Sequence, residues 1–190
     1  MTEIKEITAC NKADANIANE PFELSGKVNV RYENGRWEYS VVRFAPENVK
    51  TMKFPDENYD TEAMENSVFL GAYNGEKCIG LAVLQPGFFR YMYLLDLKVS
   101  SACRGAGVGS KLIEKAKEEA KKRGYAGIYT QCQDNNPGAF LFYMKNGFYI
   151  GGLDTNVYRH TPQEEKSDIL LYAEAEETAA GLCPETRRKI

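Results

Sequence analysis

The stretch Arg104-Gly105-Ala106-Gly107-Val108-Gly109 is the most informative part of the sequence, because it lies between a short apolar segment, Tyr93–Val99, and a helix with strong apolar periodicity. Glycine lets the backbone pass close to an anion and turn into a helix N-terminus. The unpaired N–H groups and the positive dipole end of such a terminus favour phosphate. Arg104 adds a permanent cation at the same place. The stretch therefore predicts a loop that binds a pyrophosphate.

Glycine spacing alone leaves other interpretations open. A P-loop ends in Gly-Lys-Ser/Thr, whereas Gly109-Ser110-Lys111 has a different order. A dinucleotide fingerprint reads Gly-x-Gly-x-x-Gly early in a strand–helix–strand unit, with an acid about 20 residues later. Here the glycines alternate and lie more than halfway along the chain. A turn that only reverses the chain stays possible on the loop alone.

A second motif follows the next apolar segment, 127–131, and reads Asn-Pro-Gly-Ala-Phe-Leu-Phe-Tyr-Met-Lys-Asn-Gly-Phe over residues 136–148. With the loop, it resembles the GNAT superfamily of acyl-CoA-dependent N-acetyltransferases. That superfamily's loop pattern, Gln/Arg-x-x-Gly-x-Gly/Ala, is met by Arg104, Gly107 and Gly109. Its later helix pattern is met by Asn136, Ala139, Phe142, Tyr143, Lys145, Gly147 and Phe148. The order and spacing of the two motifs make the match specific.

The resemblance implies an α/β fold. We expect a central mixed, mostly antiparallel sheet flanked by helices, splayed between the strand before Arg104 and the strand ending near Cys132. It covers a CoA-binding core over about residues 67–160. Length and composition predict one domain over residues 1–175, followed by a polar tail over residues 176–190.

The cofactor implied by the resemblance is acetyl-CoA. Its pantetheine would run beside Leu97, Lys98 and Val99, with a backbone N–H there polarising the thioester carbonyl. The residues implied for the rest of the cofactor are Arg104, Gly105, Ala106, Gly107, Val108, Gly109 and Ser110 of the loop, with Asn136 and Ala139. Asn136 also suits the N-cap of a helix that begins with Pro137, and both roles are compatible.

Tyr143 matches the tyrosine that protonates the departing thiolate in this superfamily. A phenol of pKa about 10 can donate a proton to a thiolate whose acid has a pKa near 8.5. Packing on an aromatic helix face is the alternative. Direct transfer without an acetyl-enzyme is expected, because the sequence offers no Cys–His pair.

The general base is harder to assign. Relatives often carry a glutamate on the strand before the loop, where this chain has Leu95 followed by Asp96, and the next strand has Gln131. Asp96 is the candidate base, directly or through water, unless it only orders the strand. Gln131 and Asp154 are candidate substrate-binding residues, although an aspartate before Thr155 also suits a turn.

A narrower resemblance is to the streptothricin (nourseothricin) acetyltransferases, which acetylate an amine of the β-lysine part of that antibiotic. It rests on Glu20-Pro21-Phe22-Glu23, Gly26-Lys27, Arg31-Tyr32-Glu33-Asn34, Gln133-Asp134-Asn135-Asn136 and Asp154-Thr155. Antibiotic resistance is the function it implies. Another amine acceptor (an aminoglycoside, a polyamine or a protein N-terminus) is the alternative, as is a non-catalytic acyl-CoA-binding module, which Leu95 and Gln131 motivate.

The composition limits the other classes. The chain has 190 residues, 43% of them hydrophobic, which suffices for one core. A net charge of −3 gives no basic footprint for nucleic acid and suits a small cationic substrate. One histidine and five scattered cysteines predict no metal site. Without a signal-like or membrane-length apolar run, the prediction is a cytoplasmic protein. Many members of the superfamily form homodimers, so a homodimer is possible for this chain. Its sequence shows no pattern that identifies a dimer interface.

Local patterns predict the elements around the motifs. Two hairpins are expected at Asn34-Gly35 and Asn74-Gly75, and a longer strand over Phe89–Val99. After the loop, one apolar helix face is formed by Val108, Leu112, Ile113, Ala116 and Ala120. Pairs of Glu118 with Lys122 and of Glu119 with Arg123 are expected on its solvent side. The acidic segment Lys53–Asn66 is either a solvated loop with a short helix or an acidic wall for a cationic substrate.

Overall fold

The computed structural model describes residues 2–176 and the backbone of residues 187 and 188. Its strands are β1 (Glu3–Glu6), β2 (Phe22–Leu24), β3 (Gly26–Glu33), β4 (Arg36–Arg43), β5 (Lys50–Met52), β6 (Val68–Asn74), β7 (Lys77–Gln85), β8 (Tyr91–Val99), β9 (Gly127–Gln133), β10 (Tyr149–Asp154), β11 (Asp168–Glu174) and β12 (Arg187–Arg188). Its α-helices are α1 (Val108–Lys122) and α2 (Pro137–Lys145), and its 3₁₀ segments are Ala9–Asn16, Pro46–Asn48 and Ser101–Cys103.

The described chain divides into two compact units. Among the described residues, the first unit contains residues 2–21, Lys53–Ile128 and Glu174–Glu176; the second contains Phe22–Met52, Tyr129–Ala173 and residues 187–188. The prediction of one domain over residues 1–175 stays a prediction, because compactness within a chain does not by itself define a domain that folds alone. The predicted polar tail falls mostly on residues 177–186 and 189–190, outside the described residues.

The first unit is built on an antiparallel sheet in the order β1-β6-β7-β8. β6 and β7 are almost continuously buried, which explains their unbroken apolar sequence. The predicted turn after Asn74 is present, and Gly75 has a positive φ of 61°. α1 packs on this sheet through the predicted face of Val108, Leu112, Ile113, Ala116 and Ala120, all buried.

A hydrophobic core cluster in the first unit consists of the buried residues Ile7, Ala15, Phe69, Leu81 and Val83. Ile17, Tyr59, Met64 and Leu95 pack against it. The acidic segment 53–66 is therefore tied to the sheet through Tyr59 and Met64, and forms turns with no helix.

The second unit contains the predicted hairpin of β3 and β4, with positive φ at both Asn34 (52°) and Gly35 (79°). The backbone of β12 pairs in parallel with β4, β2 pairs with β5, and β10 pairs with β11. α2 contacts β3, and the ring of its buried Phe140 lies 4.9 Å from that of Tyr39.

Several boundaries and pairs differ from the predictions. β8 begins at Tyr91, two residues late, because Phe89 has a positive φ of 63° that a strand does not accommodate. The predicted partners on α1 were wrong: Glu118 pairs with Lys115, and Glu119 pairs with Lys122 and Lys115. Glu119 is only 9% exposed, so its carboxylate reaches lysines on either side instead of pointing outward to Arg123.

Candidate active site

The glycine loop of the first unit is held open by its backbone conformation. Gly105 and Gly107 both have φ of 79°, which L residues rarely adopt. A Cβ built at either position meets no described atom within 4 Å. These two positions therefore require glycine because of their dihedral angles, and the space beside the loop stays free.

The N-terminus of α1 has the properties of an anion site. Gly107 is its N-cap and, within the described part of the chain, no side chain caps it and no acidic residue lies in the first turn. The first N–H groups of the helix and its dipole are thus left without a protein counter-charge. The donors and the open loop fit the diphosphate of coenzyme A.

Arg104 holds the loop as well as supplying charge. Its Nε donates to the carbonyl oxygen of Val99 at 3.1 Å, and its Nη1 donates to that of Pro21 at 3.0 Å. The sequence predicted only a cation at the mouth of the loop. The structure shows that the guanidinium also ties the loop to the end of β8 and to the N-terminal segment.

Glu20 is a residue near the loop to which sequence reasoning gave no role. Its carboxylate accepts hydrogen bonds from the Ser101 backbone N–H at 2.6 Å and the Ser100 hydroxyl at 3.0 Å. Hydrogen bonds from the side chain and backbone of Ser101, followed by Ser100 and the charge of Arg104, lower the pKa of Glu20. In the sequence, Glu20 stood out only as part of the stretch Glu20–Glu23 that resembles the streptothricin acetyltransferases. Its partner Ser101 lies 81 residues further along the chain.

The end of β8 carries the residues predicted to lie along pantetheine. In the register with β7, Leu97 lies opposite Ala82, Lys98 opposite Leu81, and Val99 opposite Gly80. The Val99 carbonyl accepts the Arg104 hydrogen bond, which occupies one of its two acceptor positions.

Asp96 lies in a mostly buried ion-pair cluster of the first unit, together with Glu57, Tyr59 and Lys98. Lys98 Nζ is 3.0 Å from Asp96 Oδ2 and 2.6 Å from Glu57 Oε2. The Tyr59 hydroxyl donates to the same Asp96 oxygen at 3.2 Å. The Lys98 side chain, predicted only as part of the cofactor strand, thus bridges two carboxylates.

The cluster sets the proton affinity of Asp96. Burial raises the pKa of this carboxyl, and the nearby Lys98 charge offsets part of that effect. Burial alone would lower the pKa of Lys98, but the hydrogen bond to Glu57 and the charge of Asp96 outweigh it and raise that pKa. A buried carboxylate with a raised pKa is a better proton acceptor than a free one. Glu57 and Tyr59 could not be found from sequence, because they contact β8 across about 40 residues of chain.

In the second unit, α2 places Asn136, Ala139 and Tyr143. Asn136 Oδ1 accepts from the Ala139 N–H at 3.1 Å, so the predicted N-cap is confirmed. Tyr143 is 9% exposed, and its ring centroid lies 5.0 Å from that of Phe148 and 5.5 Å from that of Phe142. The ring is therefore fixed by packing, and the role of its hydroxyl as an acid stays a prediction.

The two predicted substrate residues also belong to the second unit. Gln131 is exposed on β9. Asp154 ends β10, and its Oδ1 accepts from the backbone N–H groups of Asn156 at 2.8 Å and Val157 at 3.0 Å. The turn interpretation of Asp154 is thus confirmed, while its binding role stays a prediction.

Comparison with known proteins decides the family. The model of the Acetyltransferase (GNAT) family matches residues 33–148. The chain belongs to the GNAT acetyltransferase family. It is an acetyl-CoA-dependent N-acetyltransferase, and the α/β fold predicted from the two motifs is confirmed.

Three proteins are similar to this GNAT acetyltransferase in sequence or in structure. It is 33% identical over 172 residues to streptothricin acetyltransferase A of Bacillus subtilis (strain 168), covering 89% of this chain and 98% of that one. A protein of Bacillus anthracis str. Ames, whose crystal structure is in complex with acetyl coenzyme A, is 26% identical with a TM-score of 0.80, covering 92% of this chain and 98% of that one. Nourseothricin acetyltransferase, 22% identical with a TM-score of 0.75 and covering 92% and 99%, shares the fold.

Two properties of the described residues bear on metal binding and on membrane insertion. Among residues 2–176, no three His, Cys, Asp or Glu side chains are grouped so that they could hold a metal ion. None of the helices in the described part is both long enough and apolar enough to cross a membrane.

Proposed function

We propose that this acetyltransferase acetylates a primary amine of streptothricin, in its β-lysine part, and so confers resistance to that antibiotic. The observation that carries the proposal is the 33% identity to streptothricin acetyltransferase A over nearly the full length of both chains. The cytoplasmic location and the homodimer stay predictions.

The loop and β8 of the first unit would hold the cofactor. The N–H groups at Gly107 and the start of α1 bind the diphosphate, with Gly105, Ala106, Val108, Gly109 and Ser110 shaping the turn. The backbone of Leu97, Lys98 and Val99 would lie along the pantetheine arm, and Asn136 and Ala139 are also assigned to the cofactor, as the family pattern implies. Acetyl-CoA, when bound, supplies an acetyl thioester that an uncharged amine can attack.

The amine must first lose a proton, because an alkylamine of pKa near 10.4 is protonated at neutral pH. Asp96 is the base that we assign to this step, directly or through water. Its raised pKa favours proton uptake, and Lys98, Glu57 and Tyr59 fix its position.

The departing thiolate needs a proton as well. The Tyr143 hydroxyl is the donor that we assign, because its ring is immobilised between Phe142 and Phe148. As the C–N bond forms and the C–S bond breaks, the Tyr143 hydroxyl would protonate the departing sulfur. The nitrogen would release its second proton to solvent, and solvent would return one to the phenolate. Gln131 and Asp154 would contact the acceptor.

A thiol-release assay tests the proposal. Purified protein and acetyl-CoA are incubated with one amine at a time: streptothricin, an aminoglycoside, spermidine, or a peptide with a free N-terminus. We expect release with streptothricin at least tenfold faster than with the others, and a single added acetyl group in the mass spectrum. Equal or faster release with another amine would reassign the acceptor.

A further inference from the structure

Asn19 is a half-buried residue of the first unit that contacts the Asp96 cluster and has no role among those assigned above. The next two residues of the chain hold the end of the glycine loop. Glu20 accepts the hydrogen bond from the Ser101 N–H, and the Pro21 carbonyl oxygen accepts the one from Arg104. Asn19 is therefore anchored on its C-terminal side by contacts that do not involve its own side chain.

Three hydrogen bonds join Asn19 to the acidic segment 53–66. Its backbone N–H donates to Asp56 Oδ1 at 2.7 Å. Its Nδ2 donates to the Pro55 carbonyl oxygen at 2.7 Å and to Glu57 Oε2 at 2.8 Å. A carbonyl and a carboxylate only accept, so the amide nitrogen must face them, and both of its N–H donors are used. One of the two holds the carboxylate of Glu57.

The chain around Glu57 needs such support. Residues 53–60 belong to no strand, helix or turn, so side chains from elsewhere must satisfy and order their backbone. Tyr59 is held by Asn16, whose Oδ1 accepts from the Tyr59 N–H at 2.6 Å and whose Nδ2 donates to the Tyr59 carbonyl oxygen at 3.1 Å. Asn19 provides the corresponding support for Glu57.

The position of Glu57 decides how Lys98 is shared between two carboxylates. Lys98 Nζ lies closer to Glu57 Oε2, at 2.6 Å, than to Asp96 Oδ2, at 3.0 Å. A cation that pairs with one carboxylate alone lowers the pKa of that group by about 1–3 units. Glu57 takes up part of this attraction, so Asp96 stays a better proton acceptor than it would be with Lys98 to itself.

The charges of the cluster act in the same direction. Burial raises the pKa of Asp96 most, and the negative charge of Glu57 raises it further. Burial disfavours the charged form of Glu57, but the hydrogen bonds from Lys98 and Asn19 outweigh it and lower that pKa. The groups that bear most on Asp96 are Lys98, Glu57 and Tyr59, whereas its neighbour on β7, Val83, is apolar.

We propose that Asn19 is a positioning residue for acetyl transfer, which holds Glu57 beside Lys98 and so keeps Lys98 from pairing with Asp96 alone. This inference rests on the part of the proposed function in which Asp96 accepts the proton of the amine. Asn19 acts through Glu57 and Lys98, and not on the reacting atoms. Its loss should therefore change the proton-transfer step and leave the cofactor site as it is.

Steady-state kinetics of thiol release by the full chain, over a range of pH, tests this role. In Asn19→Ala, Lys98 pairs more closely with Asp96, which becomes a weaker base. We expect kcat at neutral pH to fall about threefold or more, and the acid limb of the kcat profile to move to lower pH by about half a unit or more. The KM for acetyl-CoA should stay unchanged, because the contacts of Glu20 and Arg104 with the loop remain.

Asn11→Ala is the matched control. Asn11 lies in the same N-terminal segment, and its side chain also makes three hydrogen bonds. Its Oδ1 accepts from the Thr8 N–H at 2.8 Å and the Thr8 hydroxyl at 3.2 Å, and its Nδ2 donates to the Tyr73 hydroxyl at 2.6 Å. We expect Asn11→Ala to lower the unfolding temperature at least as much as Asn19→Ala, with the kcat profile of the parent.

A double variant tests whether Asn19 acts through Glu57. Glu57→Ala should move the acid limb in the same direction as Asn19→Ala, and the two substitutions together should move it no further than Glu57→Ala alone. Asn19→Ser, which keeps one donor, should move it by a smaller amount, and it provides the test if the alanine variant does not fold.

The outcomes for Asn19 and for the proposed function are distinguishable. A parent-like kcat profile in Asn19→Ala, an equal change in Asn11→Ala, or additive shifts with Glu57→Ala would each overturn the inference and leave the acceptor and the base as proposed. If another amine proves to be the acceptor, the proposed function fails, and the same profiles measured with that amine decide the role of Asn19. Parent turnover in Asp96→Asn would refute both the base and this inference.

Discussion

The glycine loop and the Asp96 cluster lie at and beyond the same end of β8, yet they are built in opposite ways. The loop is exposed and acts through backbone N–H groups, with Gly105 and Gly107 in a conformation that other residues avoid. The cluster is mostly buried and acts through the side chains of Asp96, Lys98, Glu57 and Tyr59. One strand therefore positions both the proposed anion-binding loop and the carboxylate proposed to accept a proton. A substitution in one of these sites should leave the other intact.

The largest effect is expected for Asp96→Asn, which removes the proposed base but keeps the shape of the side chain. We expect kcat to fall about 100-fold or more, with the KM for acetyl-CoA unchanged. In the parent, kcat should fall as the pH drops through the pKa of Asp96, which lies above its ordinary value of 3.8. Steady-state kinetics over a range of pH measures both.

Tyr59→Phe is the matched control for Asp96. It removes one hydrogen bond to the carboxylate and leaves the ion pair with Lys98. A change of only a few-fold in kcat is expected. If Asp96→Asn turned over at the parent rate, the carboxylate would be a structural group that orders β8.

A somewhat smaller effect is expected for Tyr143→Phe. A thiolate leaves readily, so the loss of its proton donor should lower kcat by about 10- to 100-fold, near the lower end of what an acid contributes. Because the ring packing with Phe148 is retained, acetyl-CoA binding should be unchanged. Parent turnover across neutral pH in the Phe variant would remove Tyr143 from the mechanism.

Gly107→Ala probes the loop and should leave the Asp96 cluster intact. A Cβ at φ of 79° costs about 1–2 kcal/mol and turns the first N–H groups of α1 away from the anion. We expect the KM for acetyl-CoA to rise about tenfold and kcat to stay near the parent value.

The hairpin residue Gly75 provides the control for that variant. It also has a positive φ, 61°, and open space around its Cβ position. Gly75→Ala should lower the unfolding temperature about as much as Gly107→Ala, without changing the KM for acetyl-CoA. An equal rise in KM would trace the effect to general destabilisation.

The smallest effect is a pH dependence set by Glu20. Its pKa is lowered in the folded state, so its contribution to stability is fully present above the ordinary value of 4.5 and disappears as the pH falls through the lowered pKa. The unfolding temperature of the parent should therefore exceed that of Glu20→Gln above pH 4.5, and the difference should vanish in stronger acid. A pH-independent difference would mean that the carboxylate charge does not matter.

The contrast between a backbone loop and a side-chain cluster also explains which features could be predicted from the sequence. The loop, the N-cap at Asn136 and the apolar face of α1 depend on neighbours in sequence, and each was predicted from a local pattern. The contacts of Glu20, Glu57 and Tyr59 depend on side chains brought together from distant segments. The pairing of Glu119 with Lys115 and Lys122 was missed because sequence spacing gives the possible partners but not the rotamer.

The interaction on which the other roles depend is that of the loop backbone with the diphosphate of coenzyme A. Equilibrium binding of coenzyme A and of pantetheine, which lacks the diphosphate, to the parent and to Gly107→Ala tests it most directly. We expect Gly107→Ala to lower the affinity for coenzyme A about tenfold and to leave the affinity for pantetheine unchanged. Equal losses for both ligands, or no loss for coenzyme A, would contradict it.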